Sequence, residues 1–215
     1  MRCGKRCSQP ACLPRRHART RATGPWLQRW LTALIQTGYL AAHMTATEIY
    51  ESVTNGGASD FAEVVSVLNR HKPWCLIGGL AVNCYVEPVY TVDVDLVVIA
   101  TNLEKIGREL ETSGFRIKRF EHSMNAQRSD SKLNVQFTTD SRYQDFLRDV
   151  TEQEVLGVFI PVASLENIVR GKVWAWEDKK RRVSKRKKDE LDLIRIAEAN
   201  PELRRMIPAE IVEQL

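Results

Sequence analysis

Two glycines and two aspartates stand out in residues 74–98, WCLIGGLAVNCYVEPVYTVDVDLVV, because of their types and their spacing. Apolar residues 74–77 predict a strand that runs into Gly78 and Gly79, and a short apolar helix follows. Asp93 and Asp95 lie two apart in a second predicted strand, Val92–Ile99. Because strand side chains alternate between faces, both carboxylates are expected on the same face. A carboxylate pair beside a glycine turn can hold a divalent cation and a phosphate chain.

The glycines and the aspartates each have a physical reason to be there. Backbone amides at a glycine turn point at a bound anion, and glycine has no Cβ to block the approach of phosphate oxygens. Val94 and Leu96 make the second strand look buried, and an unpaired carboxylate is costly there. We therefore expect a cationic partner for the acids. The alternative is that Asp93 and Asp95 simply face water on an amphipathic strand.

The charge of the 215-residue chain is unevenly distributed. The net charge is +5, yet residues 1–43 carry eight basic and no acidic residues, which leaves 24 basic and 27 acidic residues from Met44 onward. With 43% hydrophobic residues, the chain can build a real core. The sequence predicts a basic N-terminal extension that is disordered or partly helical, a core at 44–163 and a C-terminal helical region at 164–215.

The N-terminal extension is open to several interpretations. Cys3, Cys7, Cys12 and His17 could be metal ligands, but their spacing is wider than in most structural zinc sites, and an unstructured tail is favoured. Apolar residues on one helical face within residues 26–40 are typical of a presequence, and residues before Met44 could equally be upstream translation. We favour Met44 as the natural start.

The apolar runs and the cysteines of the sequence indicate the compartment of the protein and whether it crosses a membrane. No apolar run reaches the roughly 20 residues needed to cross a bilayer. Cys75 and Cys84 lie within apolar segments and are expected to be buried thiols rather than disulfide partners. The chain is therefore expected to be cytoplasmic, without membrane association.

Helix and strand signals alternate from Met44 onward. Helices are predicted at 44–53, from Ser59 or Asp60 to Arg70, from Gly79, from Thr101 to Gly114, at 164–176 and at 189–199. Asp60 with Glu63 and Thr101 with Glu104 fit capping boxes. Strands are predicted at 74–77, 92–99, 115–121 and 133–137, and a hairpin or bent strand around Gly157. This order predicts an α/β (α+β) fold with a mixed sheet flanked by helices.

The order of strand, Gly78, Gly79, helix, then Thr91, Asp93 and Asp95 resembles the first motif of the nucleotidyltransferase superfamily, which has a DNA polymerase β-like fold. More closely, IGGLAVNCYVEPVYTVDVDLVV and the C-terminal PVASLENIVRGKVWAWEDKKRRVSKRKKDELDLIRI are similar to small prokaryotic nucleotidyltransferases of the abortive-infection toxin type. The resemblance covers about residues 58–199.

The resemblance implies a function and a set of site residues. It implies a nucleoside triphosphate bound through Gly78, Gly79 and Thr91, Mg²⁺ ions on Asp93 and Asp95, and transfer of a nucleoside monophosphate to a hydroxyl. Lys172 would contact the triphosphate, the alternative being a surface lysine. Asp189 would orient Lys172 or the acceptor, with Asp192 the less favoured partner.

Two positions depart from the family pattern. Catalytic members carry a third carboxylate on a later strand, and the corresponding residue here is Asn134, whose amide brings no charge and cannot act as a base. Either Asp130 or Asp140 substitutes for it, or one metal ion is sufficient, or the two-metal site is incomplete and nucleotides are bound without turnover. Val89 stands where relatives commonly have Arg.

The segment at residues 179–188 is the strongest charge cluster in the chain. Its eight basic residues are expected either to form a solvated loop or to attract an RNA backbone. The toxin resemblance suggests the 3′ end of a tRNA as the acceptor. The eight residues are Lys179, Lys180, Arg181, Arg182, Lys185, Arg186, Lys187 and Lys188.

Three functions compete at this stage. The first is a nucleotidyltransferase that acts on RNA, a protein or a small molecule. The second is a catalytically weak nucleotide- or RNA-binding member that acts as a toxin–antitoxin-type partner and binds a cognate protein. The third is a glycosyltransferase with paired aspartates, but the chain is short for that class and the strand–glycine–helix segment has no role in it.

Overall fold

A seven-stranded mixed sheet forms the centre of the fold in the computed structural model, which describes residues 45–215. The strand order is β3-β4-β5-β2-β1-β7-β6, with β2 parallel to β5, β1 parallel to β7 and the other neighbours antiparallel. The strands are β1 Trp74–Ile77, β2 Asp93–Val98, β3 Arg116–Arg119, β4 Ser123–Gln127, β5 Asn134–Thr138, β6 Val150–Val155 and β7 Val158–Ala163.

Helices flank this sheet, so the predicted fold class is confirmed. The α-helices are α1 Ala46–Thr54, α2 Gly57–Leu68, α3 Gly78–Val82, α4 Ala100–Thr112, α5 Leu165–Glu177, α6 Val183–Ala199 and α7 Ala209–Val212. Two 3₁₀ segments, Ser141–Arg148 and Pro201–Met206, complete the described elements.

The strands of the sheet share one hydrophobic core with the N-terminal and the C-terminal helices. In β2, Val94 and Leu96 are fully buried, whereas Asp93 and Asp95 on the opposite face are only partly buried. Ile168 of α5 and Leu193 of α6 belong to the same core as the strands. The C-terminal helices are therefore packed against the sheet, which brings their polar side chains close to β2.

The predicted helix starts were less accurate than the helices themselves. Helix α2 begins at Gly57 after Gly56, not at Ser59 or Asp60, and α4 begins at Ala100. The two expected capping boxes are wrong because neither helix has a side-chain N-cap hydrogen bond; Asp60 instead pairs with Arg128. A capping box that the sequence analysis did not identify is present at α1, between Thr45 and Glu48.

The largest difference between the predicted and the observed helices concerns the basic segment at residues 179–188. Helix α6 begins at Val183, six residues before the predicted start at Asp189, so half of the basic cluster is helical. The strand β4 and the 3₁₀ segment at 141–148 were also missed. The hairpin around Gly157 is confirmed as β6 and β7, joined by a turn in which Leu156 and Gly157 have positive φ.

Several predictions about the whole chain are not tested by this fold. The metal-ligand and presequence interpretations of residues 1–43 lie outside the described residues, and the boundaries at 44 and 164 stay predictions. Between residues 45 and 215, no helix has both the length and the apolar character to cross a membrane. In the same part of the chain Cys75 and Cys84 form no disulfide.

The central position of β2 leads to a first prediction. Leu96→Ala should lower the free energy of unfolding by about 2–5 kcal/mol, because Leu96 is fully buried and its loss leaves a cavity. Leu191→Ala, the same substitution on the exposed side of α6, should change it by less than about 0.5 kcal/mol. Urea titration of both variants tests this, and similar losses for the two would contradict the central role of β2.

Candidate functional site

The glycine turn after β1 lies against the second aspartate of β2. Ile77 at the end of β1 pairs with Asp95 in the antiparallel register, and Gly78 follows with φ of +75°. A Cβ added to Gly78 would overlap the carboxylate of Asp95. Gly78 is therefore required twice, once by its left-handed backbone and once by this close approach. The turn and the acids lie on the same side of the sheet, as the sequence predicted.

The parallel pairing of β2 and β5 builds the polar floor of the site. Asp93 pairs with Asn134, and Asp95 pairs with Gln136. The amide Nδ2 of Asn134 donates a hydrogen bond of 3.3 Å to Oδ1 of Asp93. Asn134 therefore occupies the position beside the acids that the sequence analysis assigned to it. Gln136 was missed, although its spacing of two from Asn134 places it on the same face.

A cavity opens above this floor, and we call it the polar pocket. Neither Asp130 nor Asp140 lines it; Asp140 instead pairs with Arg142 at 2.8 Å. The interpretation that one of these acids replaces the third carboxylate is therefore wrong. The pocket is lined by Gly79, Thr91, Asp93, Asp95, Asn134, Gln136, Lys172, Arg181, Lys185, Lys188 and Asp189.

The two aspartates of β2 differ in their electrostatic surroundings. Burial acts to raise the pKa of Asp93, but the hydrogen bond and charge of Lys185 outweigh it, and the pKa is lowered. The Lys185 Nζ lies 3.1 Å from Oδ2 of Asp93. Burial, opposed by Lys172 and reinforced by Asp93, raises the pKa of Asp95. Asp93 is thus already paired with a cation, whereas Asp95 needs more positive charge to be stable as a carboxylate.

Lys172 is buried in an ion-pair network rather than exposed on its helix. Its Nζ lies 3.0 Å from Oδ1 of Asp189 and 2.6 Å from Oδ2 of Asp192, and all three side chains are at least nine-tenths buried. Burial alone would lower the pKa of Lys172, but Asp192 and Asp189 raise it. The surface-lysine alternative is therefore wrong, and so is the lower rank given to Asp192.

Two arginines extend this network at its ends. Arg181 Nε lies 2.9 Å from Asp189, and Arg195 Nη1 lies 2.7 Å from Asp192. Arg195 also donates to Oδ1 of Asn83 at 2.9 Å, and Asn83 in turn bonds both backbone groups of Val89. The network therefore connects the polar pocket to the segment that leads into β2.

The basic cluster is divided by the start of α6. Arg181, Lys185 and Lys188 line the polar pocket, and the Lys188 Nζ donates to Oγ1 of Thr91 at 3.3 Å. Lys187 instead pairs with Glu190 on the helix surface. The interpretation of the whole cluster as a solvated loop is therefore wrong. Six of its members are exposed: Lys179, Lys180, Arg181, Arg182, Lys185 and Lys187.

An aromatic pocket adjoins the polar pocket and shares Asp95, Gln136, Lys172, Arg181 and Asp189 with it. Tyr143 and Phe146 of the 3₁₀ segment line its wall. The ring of Trp174 stacks on Phe146 with 5.9 Å between centroids. The sequence analysis missed this group because the tyrosine and the phenylalanine lie in a segment without a strand or α-helix pattern.

The comparisons with known proteins bear on the fold. No protein-family model matches the sequence, and no curated protein matches it. A solution structure of the antibiotic-resistance factor ANT(2'')-Ia is 13% identical, with a TM-score of 0.53 over 73% of this chain and 91% of that one. A crystal structure of ANT(2'')-Ia with adenylyl-2''-tobramycin is also 13% identical, with a TM-score of 0.52 over 73% and 97%.

A third solved structure, the lincosamide antibiotic adenylyltransferase LnuA with lincomycin, is 15% identical, with a TM-score of 0.46 over 63% of this chain and 94% of that one. The two ANT(2'')-Ia structures support the fold assignment. The chain has the nucleotidyltransferase fold, as the resemblance implied. The abortive-infection toxin subgroup stays a prediction.

The contact between Gly78 and Asp95 leads to a second prediction. Gly78→Ala should lower the free energy of unfolding by about 1–3 kcal/mol more than Gly114→Ala does. Both glycines have positive φ, but a Cβ at Gly114 would meet open space. The difference between the two variants in urea titration isolates the overlap with Asp95, and equal losses would show that the carboxylate moves away at no cost.

The burial of Lys172 leads to a third prediction. Lys172→Met should lower the free energy of unfolding by about 3–5 kcal/mol, because two buried carboxylates lose their shared cation. Lys187→Met, which removes an exposed ion pair, should cost less than about 1 kcal/mol. Thermal or urea unfolding of both variants measures the difference, and a small effect of Lys172→Met would mean that the network does not stabilise the fold.

Proposed function

We propose that the protein is a magnesium-dependent nucleotidyltransferase that binds a nucleoside triphosphate and transfers its nucleoside monophosphate to a hydroxyl acceptor. The observation that carries this proposal is the polar pocket. In it Asp95 lies against the Gly78 turn, Lys185 bonds Asp93, and Lys188 lines the same cavity. Paired acids surrounded by cations suit a ligand that combines a divalent cation with a polyphosphate.

The donor atoms of the pocket fit Mg²⁺. This cation prefers oxygen ligands and is usually held by one or two carboxylates, substrate phosphates and water. Asp93 and Asp95 would supply the carboxylates, and the side-chain oxygens of Asn134 and Gln136 lie on the same floor. When bound, the cation would supply Lewis-acid stabilisation of charge that develops on the phosphates.

The cations of the pocket would bind the triphosphate. Lys188 and Arg181 reach the pocket from α6 and from the segment before it. Lys185 bonds Asp93, and it would exchange this partner for a phosphate oxygen when a nucleotide and its metal ion enter. Their positive charge would stabilise the leaving pyrophosphate electrostatically. Lys172 would have two supporting roles. It would hold Asp189 and Asp192 in place, and its charge would favour the ionised form of Asp95.

The aromatic pocket would bind the nucleoside. Its wall of Tyr143 and Phe146 offers flat apolar surface, which suits a base that stacks on an aromatic ring. Gln136 and Thr138 provide side-chain hydrogen-bonding groups in the same pocket. The sharing of Asp95 between the two pockets fits a nucleotide whose base and phosphates occupy one pocket each.

A second function, nucleotide binding with weak or no turnover, is favoured by Asn134. Its amide donates to Asp93 where catalytic relatives are expected to have a carboxylate. RNA contacts would then depend on Lys179, Lys180 and Arg182, which are exposed and do not line the polar pocket, whereas Arg181, Lys185 and Lys188 line it. A cognate protein partner of the toxin–antitoxin type belongs to this second proposal.

A binding experiment tests the feature common to both proposals. Titration of the full chain with each of the four nucleoside triphosphates and Mg²⁺ in a calorimeter should show binding of at least one. Asp93→Asn should weaken that binding at least about tenfold, because it removes a metal ligand and its charge. Asp145→Asn, an exposed control on the 3₁₀ segment, should leave it unchanged. The proposal is falsified if the wild-type chain binds none of the four.

A transfer experiment separates the enzyme from the binding protein. Incorporation of label from an α-labelled triphosphate into RNA, protein or a small acceptor is expected for the wild-type enzyme. Asn134→Asp should raise the rate of transfer while leaving nucleotide affinity within about threefold, since it restores a carboxylate beside Asp93. Retained binding without transfer by either chain would favour the second proposal.

A further inference from the structure

A third cavity adjoins the polar pocket, and Thr91 lines both. We call it the Tyr50 pocket. Its walls come from α1, α3, the 88–91 segment and the turn between β6 and β7. The lining is almost entirely apolar and includes Ile49, Leu80, Val89 and Leu156. An apolar lining with a few polar groups is typical of a small-molecule site.

The hydroxyl of Tyr50 gives this pocket a polar group without a partner. The Tyr50 side chain lines the pocket and is more than nine-tenths buried. Within residues 45–215 its Oη is inaccessible to solvent and has no hydrogen-bond partner. Burial raises the pKa of Tyr50, so the hydroxyl keeps its proton at neutral pH and is a hydrogen-bond donor. A buried donor left unpaired is unfavourable, and an acceptor on a ligand would remove that cost.

The Tyr50 pocket lies close to the acids of the polar pocket. Thr91 lines both cavities, and the Lys188 Nζ bonds its hydroxyl. Asp93 follows two residues after Thr91, and its charge is close enough to Tyr50 to contribute to the raised pKa of that phenol. A molecule held in the Tyr50 pocket could therefore extend a short arm past Thr91 toward Asp93.

The chemistry of the lining distinguishes between classes of acceptor. An RNA backbone needs cations to neutralise its phosphates, and the residues that line the Tyr50 pocket include no Lys or Arg. Tyr90 and Val89 at the pocket are well exposed, so that a ligand can reach it from solvent. An apolar ring with one oxygen substituent matches both the surface and the single unpaired donor.

We propose that the Tyr50 pocket binds the acceptor of the transfer reaction and that this acceptor is a small molecule with an apolar ring, an oxygen substituent facing Tyr50 and a hydroxyl on a short arm. This inference rests on the proposed nucleotidyltransferase function. In the step itself, the acceptor oxygen forms a bond to the α-phosphorus, and the bond from that phosphorus to the bridging oxygen breaks. Pyrophosphate leaves with the bonding electron pair, and water takes up the hydroxyl proton.

The test uses two aromatic alcohols as probes for the full chain. 4-Hydroxyphenylethanol has a ring, a phenolic oxygen and an arm with a hydroxyl, whereas 2-phenylethanol lacks the phenolic oxygen. Saturation-transfer NMR titrations should show both ligands bound, the first more tightly. Tyr50→Phe should weaken 4-hydroxyphenylethanol roughly three- to tenfold and leave 2-phenylethanol unchanged, because only one hydrogen bond is removed.

A matched pair of surface variants locates the binding. Val89→Trp should fill the mouth of the Tyr50 pocket and weaken both probes at least about tenfold. Val150→Trp is the control, since Val150 is as exposed as Val89, at 39%, but lies on edge strand β6 and does not line the pocket. Equal effects of the two variants, or no binding to the wild-type chain, would overturn the proposal.

Nucleotide calorimetry on the same samples distinguishes a failure of the acceptor-pocket proposal from a failure of the nucleotidyltransferase proposal. Nucleotide binding without probe binding would overturn the acceptor pocket and leave the nucleotidyltransferase proposal intact. Probe binding without nucleotide binding would reject the role of the pocket as an acceptor site together with the proposed function. Label transfer from an α-labelled triphosphate to 4-hydroxyphenylethanol, lost in Val89→Trp and kept in Val150→Trp, would support both.

Discussion

The site depends on a single buried ammonium group. Lys172 on α5 bonds two carboxylates of α6, Asp189 and Asp192, in a region where any one of these charges alone would be strongly unfavourable. The three groups are stable only together, so the two helices are fixed in one relative register. Because the register of α6 is fixed in this way, its first turns present Lys185 and Lys188 to the polar pocket.

The same network also supports the segment before β2. Val89 brings no cation, but Arg195 reaches this segment from α6 and donates to the Glu87 carbonyl and to Asn83. Asn83 then holds both backbone groups of Val89. Arg195 of α6 thus stabilises the segment that leads into β2, and the apolar side chain of Val89 lines the Tyr50 pocket.

The sequence predicted the parts of the fold that depend on local pattern. The strand, the Gly78 turn and the β2 acids were all placed correctly, because period-two alternation and a glycine turn can be recognised from neighbouring residues alone. Helix starts were missed where tertiary contacts compete with capping, as at Asp60, which pairs with Arg128. The burial of Lys172 could not be read locally, since its partners lie 17 and 20 positions further along the chain.

The position of Asn134 determines how the electrostatics of the floor differ from those of a three-carboxylate site. A third carboxylate beside Asp93 would add a negative charge where Asp95 already has a raised pKa, so it would need a further cation to offset it. The neutral amide avoids that repulsion and bonds Asp93 directly. With Lys185 on its other oxygen, Asp93 is held in place by two protein donors. At this position the floor therefore carries an uncharged hydrogen-bond donor that keeps the side chain of Asp93 ordered.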